Sequence, residues 1–437
     1  MKKENTRTKE EQNFLHFIEK ATSPYQVVAA TIETLEKEGF LSLEFGSSWN
    51  LVPGGKYYTK PYDTTLFAFR MPEQVSEQSR FRMCASHTDH PGFRLKPNPD
   101  IKEKGYWKLN VETYGGVILN TWLDRPLSMA GKVTLKSNDI FKPKVRLVDW
   151  KSPLISIPNL AIHMNRSVNS GLELNKQVDL LPLFSMSLPA LHEHENFLSY
   201  LAEQLEVETE DILDFDLYVY NCEKGCVFGK EKEFYSSPRL DNLTSVYAGM
   251  NALCNANIYG TDIAISAFYD NEEIGSRTKQ GADSAITQML LHKIASSCGL
   301  SEQQLQDCIY KSFMISTDVA HALHPNHGEK NDITNYTLLN QGVVIKINAD
   351  QRYATDTEAI GAIQQICHQY QIPYQKFVNR SDITGGGTLG TITSSWLPMK
   401  TVDIGVPILA MHSAREMSGV KDVHYLSHLL CSYFECK

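Results

Sequence analysis

The sequence predicts an α/β fold, a mixed sheet flanked by helices and interrupted by a β-rich segment. Three observations lead there. Apolar runs of strand length alternate with helically spaced apolar residues in the first and last parts of the chain. From about 97 to 230 this alternation gives way to short β-branched stretches punctuated by Gly, Asn and Pro. Finally, several acidic and histidine motifs follow strand-like runs directly, where open α/β sheets gather their ligands.

Taken in order, Phe14, Phe17 and Ile18, then Val27, Val28, Ile32 and Leu35, keep helical spacing. Ser23-Pro24 divides them into two helices. Strands are expected over Thr65-Leu66-Phe67-Ala68-Phe69 and Phe81-Arg82-Met83-Cys84-Ala85, the second running into His87. Within the β-rich segment, Trp107-Lys108-Leu109-Asn110-Val111, Gly131-Lys132-Val133-Thr134-Leu135 and Lys144-Val145-Arg146-Leu147-Val148 read as mainly antiparallel strands, with a helix over 194–204. Read as an insertion, it divides the chain into 1–96, 97–230 and 231–437. Beyond it, Asp241 opens a helix through Val246, Met250 and Leu253. Ile263-Ala264-Ile265-Ser266-Ala267-Phe268 is apolar enough for a strand buried on both faces. Helices over 282–297 and 359–370 and strands at Phe313-Met314-Ile315, 376–378 and Val402-Asp403-Ile404 complete the reading.

A chain of 437 residues is long enough for two domains. With 42% hydrophobic and 21% charged residues it has the composition of an ordinary globular protein. The net charge of −9 argues against a nucleic-acid-binding surface. No window has the apolar length of a membrane span. The N-terminal residues are polar and lack the apolar core of a leader, and the nine cysteines are scattered. A cytoplasmic protein with reduced thiols is expected. Cys222 and Cys226 have no second pair nearby to complete a zinc site.

The chemistry lies in residues far apart in sequence: His87 and Asp89, Asp241, Glu272 and Glu273, Asp318, and His412. Singly, each is an ordinary cap or loop residue. Together they offer the ligands of a two-metal hydrolytic site. Adjacent glutamates on a turn point in different directions, so one can hold a metal while its neighbour faces substrate. Asp89, two residues beyond His87, is placed to fix the imidazole tautomer. His321, His324 and His327 imitate a metal cluster, but Pro325-Asn326 interrupts them and pocket-lining roles are favoured. Gly385-Gly386-Gly387-Thr388-Leu389-Gly390 spells a dinucleotide fingerprint without a clear preceding strand, and reads as a mobile or close-packed loop near substrate.

The longer motifs carry a resemblance. Ser86-His87-Thr88-Asp89-His90-Pro91, Thr121-Trp122-Leu123-Asp124-Arg125, Ser237-Pro238-Arg239-Leu240-Asp241-Asn242 and Asp270-Asn271-Glu272-Glu273-Ile274-Gly275-Ser276 resemble the M18 metalloaminopeptidases of the aspartyl aminopeptidase type. So do Ile315-Ser316-Thr317-Asp318-Val319-Ala320-His321-Ala322, Gln351-Arg352-Tyr353-Ala354 and Ala410-Met411-His412-Ser413-Ala414-Arg415-Glu416-Met417. The resemblance implies a dinuclear metallopeptidase domain interrupted by a β-rich dimerisation domain. It implies that Asp241 bridges two divalent ions, most readily Zn2+, with Co2+ or Mn2+ as substitutes. His87 and Asp318 would complete one site, Glu273 and His412 the other. Glu272 would be the general base and Asp89 would support His87.

The same resemblance implies peptide substrates and dimers assembled into a dodecamer. Lys346 is the leading cation for an N-terminal Asp or Glu, and His163 is expected to reach a neighbouring subunit's site. Trp122, Asp124 and Arg125 fit subunit contacts or internal packing equally. A preference for neutral or apolar first residues, a deacylase using the same metals, and a non-enzymatic assembly or cargo protein are the competing readings.

Overall fold

The computed structural model describes residues 9–187 and 194–436. The polar stretch Met1 to Arg7, on which the leader expectation partly rests, lies outside them. The main sheet has nine strands in the order Leu41–Ser42, Lys56–Tyr62, Thr65–Arg70, Ile263–Tyr269, Phe81–His87, Phe313–Thr317, Lys400–Gly405, Val343–Ile347 and Tyr374–Val378. The four strands from Ile263–Tyr269 to Lys400–Gly405 run parallel, while pairs nearer the edges include antiparallel ones. Every residue of Ile263–Tyr269 is buried, as its unbroken apolar run requires. Tyr269 pairs with His87 and Ser316 with Ala85. Residues 87, 270–273 and 318 therefore leave the sheet at one edge.

Helices cover both faces. Lys9–Lys20, Pro24–Lys37, Leu240–Asn255, Thr357–Tyr370 and Val420–Glu435 share one core; Ile286–Ser297, Glu302–Lys311 and Leu389–Trp396 share the other. Local sequence sets several boundaries. Pro24 opens the second helix, and Ser301 with Gln304 forms a capping box that starts Glu302–Lys311. Gly249 lets helix Leu240–Asn255 approach the sheet, since a Cβ there would sit 3.0 Å from Cys84 Sγ. Ser266 Oγ also donates to the Gly249 carbonyl at 3.0 Å. This pins the helix that follows Asp241 to strand Ile263–Tyr269, the neighbour of the strand that ends at His87.

A second sheet of six strands holds a third core. Its order is Lys144–Asp149, Leu127–Leu135, Ile212–Asn221, Gly92–Glu103, Tyr106–Tyr114 and Leu183–Met186, all antiparallel. Trp122 packs into this core edge-on to Phe93 at 5.1 Å. Arg125 pairs with Glu223 at 2.7 Å, and Asp124 accepts from the Asn159 amide at 2.8 Å. All three side chains are thus engaged within the chain. The expected helix over 194–204 is Phe197–Leu205, capped by Asn196.

A five-stranded sheet joins Cys226–Phe228, Phe234–Ser237, Glu416–Gly419, Pro407–Leu409 and Ala320–His321. It carries the loop of His412 between two of its strands. No helix among the described residues is long and apolar enough to cross a membrane.

Candidate active site

Five side chains converge at the edge where the parallel strands end. His87 is the last residue of its strand and Asp318 follows Phe313–Thr317. Asp241 sits in a non-helical first turn of Leu240–Asn255, preceding a cis peptide bond to Asn242. Asn242 Nδ2 donates to the Thr317 carbonyl at 2.9 Å, tying this turn to the strand before Asp318.

The distances divide the cluster into two halves sharing Asp241. Its Oδ1 lies 3.4 Å from His87 Nε2, which in turn is 3.5 Å from Asp318 Oδ1. Its Oδ2 lies 3.3 Å from His412 Nε2, itself 3.4 Å from Glu273 Oε2. Both triads could hold a metal ion, as could His87 with Glu272 and Glu273. The spacing fits zinc: ligand atoms roughly 2.0–2.1 Å from a tetrahedral ion are separated by about 3.3 Å. Asp241 Oδ1 is buried with no hydrogen-bond partner, as expected of an oxygen reserved for a cation.

The imidazoles are held to present Nε2. His87 Nδ1 lies 3.0 Å from the Asp89 carbonyl, and His412 Nδ1 lies 2.8 Å from the Gly116 carbonyl. Each contact calls for a proton on Nδ1 and leaves Nε2 as the acceptor. Gly116 reaches His412 because it lacks a Cβ, which would sit 3.2 Å from Nδ1; one on Gly115 would sit 3.1 Å from Glu273 Cβ. The loop after Tyr106–Tyr114 of the six-stranded sheet therefore touches the second triad.

Asp89 meets His87 through its carbonyl, and its carboxylate has further partners. Its carboxylate is 3.4 Å from His87 Nδ1, farther than its own carbonyl. It accepts instead from the amides of Glu272 and Glu273, each at 3.1 Å, and from Tyr114 Oη at 2.8 Å. Asp89 thus anchors the glutamate turn, and Asn271 Nδ2 closes the network by donating to Tyr114 Oη at 2.9 Å. Tyr114→Phe is expected to weaken metal affinity or turnover by roughly tenfold, the lower end of outer-shell effects. Metal titration and kcat/KM measured on the same preparation check this.

Glu416 is the residue the sequence reading did not single out. Its oxygens accept from the Asp241 amide at 2.9 Å and the His412 amide at 2.7 Å, fixing one residue from each end of the second triad. Its place four residues after His412 was the available signal; its partner Asp241 is 175 positions away.

Electrostatics favour a cation here. Burial, with Asp318, Asp89 and Asp241 adding to it, pushes the Glu272 carboxyl up to about 8. Burial and the charges of Asp241 and Glu272 raise Glu273 well above the carboxylate range. Burial would likewise raise Asp241, but the imidazoles of His412 and His87 beside it hold it below its ordinary value. Crowded carboxylates are relieved by positive charge, and divalent ions supply it more fully than protons.

The adjoining pocket has a volume of about 560 Å³ and is lined by Glu272, His321, Lys346, Arg352 and the Gly386–Thr388 loop, among others. Lys346 is only 2% exposed, with Nζ 3.2 Å from Asp318 Oδ2 and 3.1 Å from the Val319 carbonyl. Its charge is therefore partly engaged by a candidate ligand. The His324 and His327 rings lie tilted to each other, 5.1 Å apart, outside the pocket lining, and neither joins a candidate metal group among the described residues. The glycine loop follows strand Tyr374–Val378 after a six-residue gap and leads into helix Leu389–Trp396. It lies beside the pocket with Gly386 and Gly387 exposed, so it is an open loop there and not a close-packed one. His163 does not line the pocket; it lies on an exposed turn of its own chain.

A parallel-centred α/β sheet with paired histidine–carboxylate triads at its strand ends has the architecture of a metallopeptidase. The chain matches the family described as Aminopeptidase I zinc metalloprotease (M18) over residues 17–434. It is 45% identical over 412 residues to the probable M18 family aminopeptidase 2 of Clostridium novyi, covering 94% of this chain and 95% of that one. The Clostridium acetobutylicum counterpart is 44% identical over 416 residues, covering 95% and 96%. Among solved structures, Ape4 in its complex with Nbr1 superposes with a TM-score of 0.93 at 34% identity, covering 97% of this chain and 85% of that one. The S. cerevisiae mApe1 dodecamer gives 0.84 at 27% identity, covering 98% and 96%. The chain belongs to the M18 family: it is a zinc aminopeptidase of that family.

Proposed function

We propose that this aminopeptidase is dinuclear and removes N-terminal residues, preferably Asp or Glu, from short peptides. The sharing of Asp241 between two triads at tetrahedral-edge spacing is the main support. His87, Asp241 and Asp318 would hold one ion; Asp241, Glu273 and His412 would hold the other. Zinc suits these donors, and cobalt or manganese can replace it. Bound there, the ions supply Lewis-acid polarisation of the scissile carbonyl.

The remaining work falls to the chain. Glu272 takes a proton from the attacking water and returns it to the leaving amine. Burial raises the Glu272 carboxyl and cations in the neighbouring triads would lower it again, which suits a group that takes up a proton and gives it back. Asp89 keeps that carboxyl in place by gripping the Glu272 and Glu273 amides. The 560 Å³ pocket receives the first side chain of the peptide.

Acidic preference rests on Lys346 as a cation buried in this pocket. Its pairing with Asp318 favours the second reading, a preference for neutral or apolar residues. Matched peptides beginning with Asp, Glu, Leu, Ala and Lys, assayed with zinc, cobalt or manganese, separate the two. Faster release of Asp and Glu is expected, with Lys346→Ala reducing their advantage about tenfold, as for one lost charge-assisted contact. Faster release of Leu or Ala establishes the second reading. No release from metal-loaded protein moves the weight to a deacylase or a cargo protein.

The segment 97–230 would serve as the dimerisation domain, with its sheet beginning a few residues earlier at Gly92. Assembly of dimers into a dodecamer is supported by the S. cerevisiae relative. The exposed turn around His163 carries Leu160, Ile162 and Met164 with 51%, 46% and 73% of their surface exposed. Seated on a neighbour, this turn would bring His163 to that neighbour's site. A cytoplasmic location is supported by all nine cysteines being free thiols.

A further inference from the structure

A second, much smaller cavity lies behind Asp241, between the six-stranded sheet and the start of helix Leu240–Asn255. Its walls include His90, Trp122, Asn221, Arg239, Ser413 and Glu416. It offers about 10 Å³ to the centre of a water-sized sphere, room for one small occupant. Around it, Arg239 Nη1, Trp122 Nε1 and both ring nitrogens of His90 are buried without a hydrogen-bond partner. These residues are 8%, 3% and 5% exposed. Leaving so many polar atoms unpaired around one cavity is costly unless something occupies it.

The other polar walls are already committed. Asn221 Nδ2 donates to Glu223 and to the Ala414 carbonyl. Both oxygens of Glu416 accept backbone amides. Ser413 Oγ accepts from the Arg415 amide, and its hydroxyl hydrogen is left to give. Arg239 spends Nε and Nη2 on the carbonyls of Ala21 and Ile18, at the end of the first helix, and lies over the Tyr220 ring. Among the described residues it has no ion-pair partner, so its charge is buried without a paired carboxylate.

The count of donors decides what fits. Arg239 Nη1 brings two hydrogens, Trp122 one, and His90 one in either tautomer. One His90 nitrogen is the complementary acceptor, beside Asp241 Oδ1, which faces His87. A water accepts only two of these hydrogens, leaving the other donors unmet and the guanidinium charge unpaired. A monatomic anion accepts all the donors, gives none and neutralises the guanidinium. We propose that this cavity binds one small monovalent anion of chloride size. Asp241 and Glu416 both place carboxylates at its border, so cations in the two triads favour the anion. By linkage the anion strengthens metal binding equally.

The experiment uses crystals of the metal-loaded enzyme grown in sodium bromide and measured for anomalous scattering. A bromide peak within hydrogen-bonding distance of Arg239 Nη1 and Trp122 Nε1 is expected. In parallel, Tm and turnover are titrated with chloride against gluconate at constant ionic strength. Trp122→Phe, which keeps an aromatic ring and loses the N–H, should raise half-saturation about tenfold, the effect of one hydrogen bond to a charged group. Arg239→Met should abolish the chloride response; if its loss of the first-helix contacts prevents folding, Trp122→Phe still tests the site. A cavity holding only water in bromide overturns the proposal, as does identical behaviour in chloride and gluconate. Half-saturation indifferent to Trp122→Phe marks an adventitious ion only and overturns it too.

Discussion

Glu272→Gln is expected to lower kcat by about two to four orders of magnitude, the usual worth of a general acid–base group. Bound metal should stay unchanged, because His87, Asp241, Asp318, Glu273 and His412 all remain. The amide is nearly isosteric and the Glu272 backbone N–H keeps its 3.1 Å bond to Asp89, so the turn holds its shape. Metal analysis and single-turnover kinetics on one preparation give a clear result. Near-normal turnover would remove Glu272 from its role; low turnover with lost metal would make it a ligand. The latter outcome has a structural basis, since Glu272 also groups with His87 and Glu273.

Asp241→Ala should have the largest effect on metal content. Single changes to groups that merely support ligands cost roughly 10- to 100-fold in metal affinity, and loss of a shared ligand should exceed that. Both ions should be weakened together, because each triad loses a donor, and peptide release should become undetectable at ordinary metal concentrations. Asp318→Ala provides the contrast, affecting one triad directly. Calorimetric titration with zinc reads the difference as two weakened sites against one. Equal, single-site losses in both variants would show that Asp241 does not bridge.

The parallel centre of the sheet was legible because burial on both faces demands unbroken apolar runs, as in Ile263–Tyr269. The donor residues were legible because they stand where those runs end, and the M18 motifs gave their pairing. Asp89 shows the limit. Two residues from His87, it was read as a local partner, yet its carboxylate grips the amides of Glu272 and Glu273, 183 and 184 positions away. Glu416 was passed over for the same reason, since a backbone amide is a partner that leaves no mark on sequence. Lys346 was found as a pocket cation, but its engagement by Asp318 depends on sheet order, with Lys400–Gly405 lying between their strands. The orphaned nitrogens of His90, Trp122 and Arg239 come together only when two sheets pack.

Gly115 and Gly116 give the six-stranded sheet a hand in the chemistry of its neighbour. Until strands Gly92–Glu103 and Tyr106–Tyr114 have closed, His412 has no carbonyl to set its tautomer and Glu273 has no wall beside it. Competence to cleave peptides thus depends on separately packed parts of the chain having met. The same loop exposes the finished enzyme to control from outside the pocket, for whatever shifts that sheet by a fraction of an ångström also shifts a ligand.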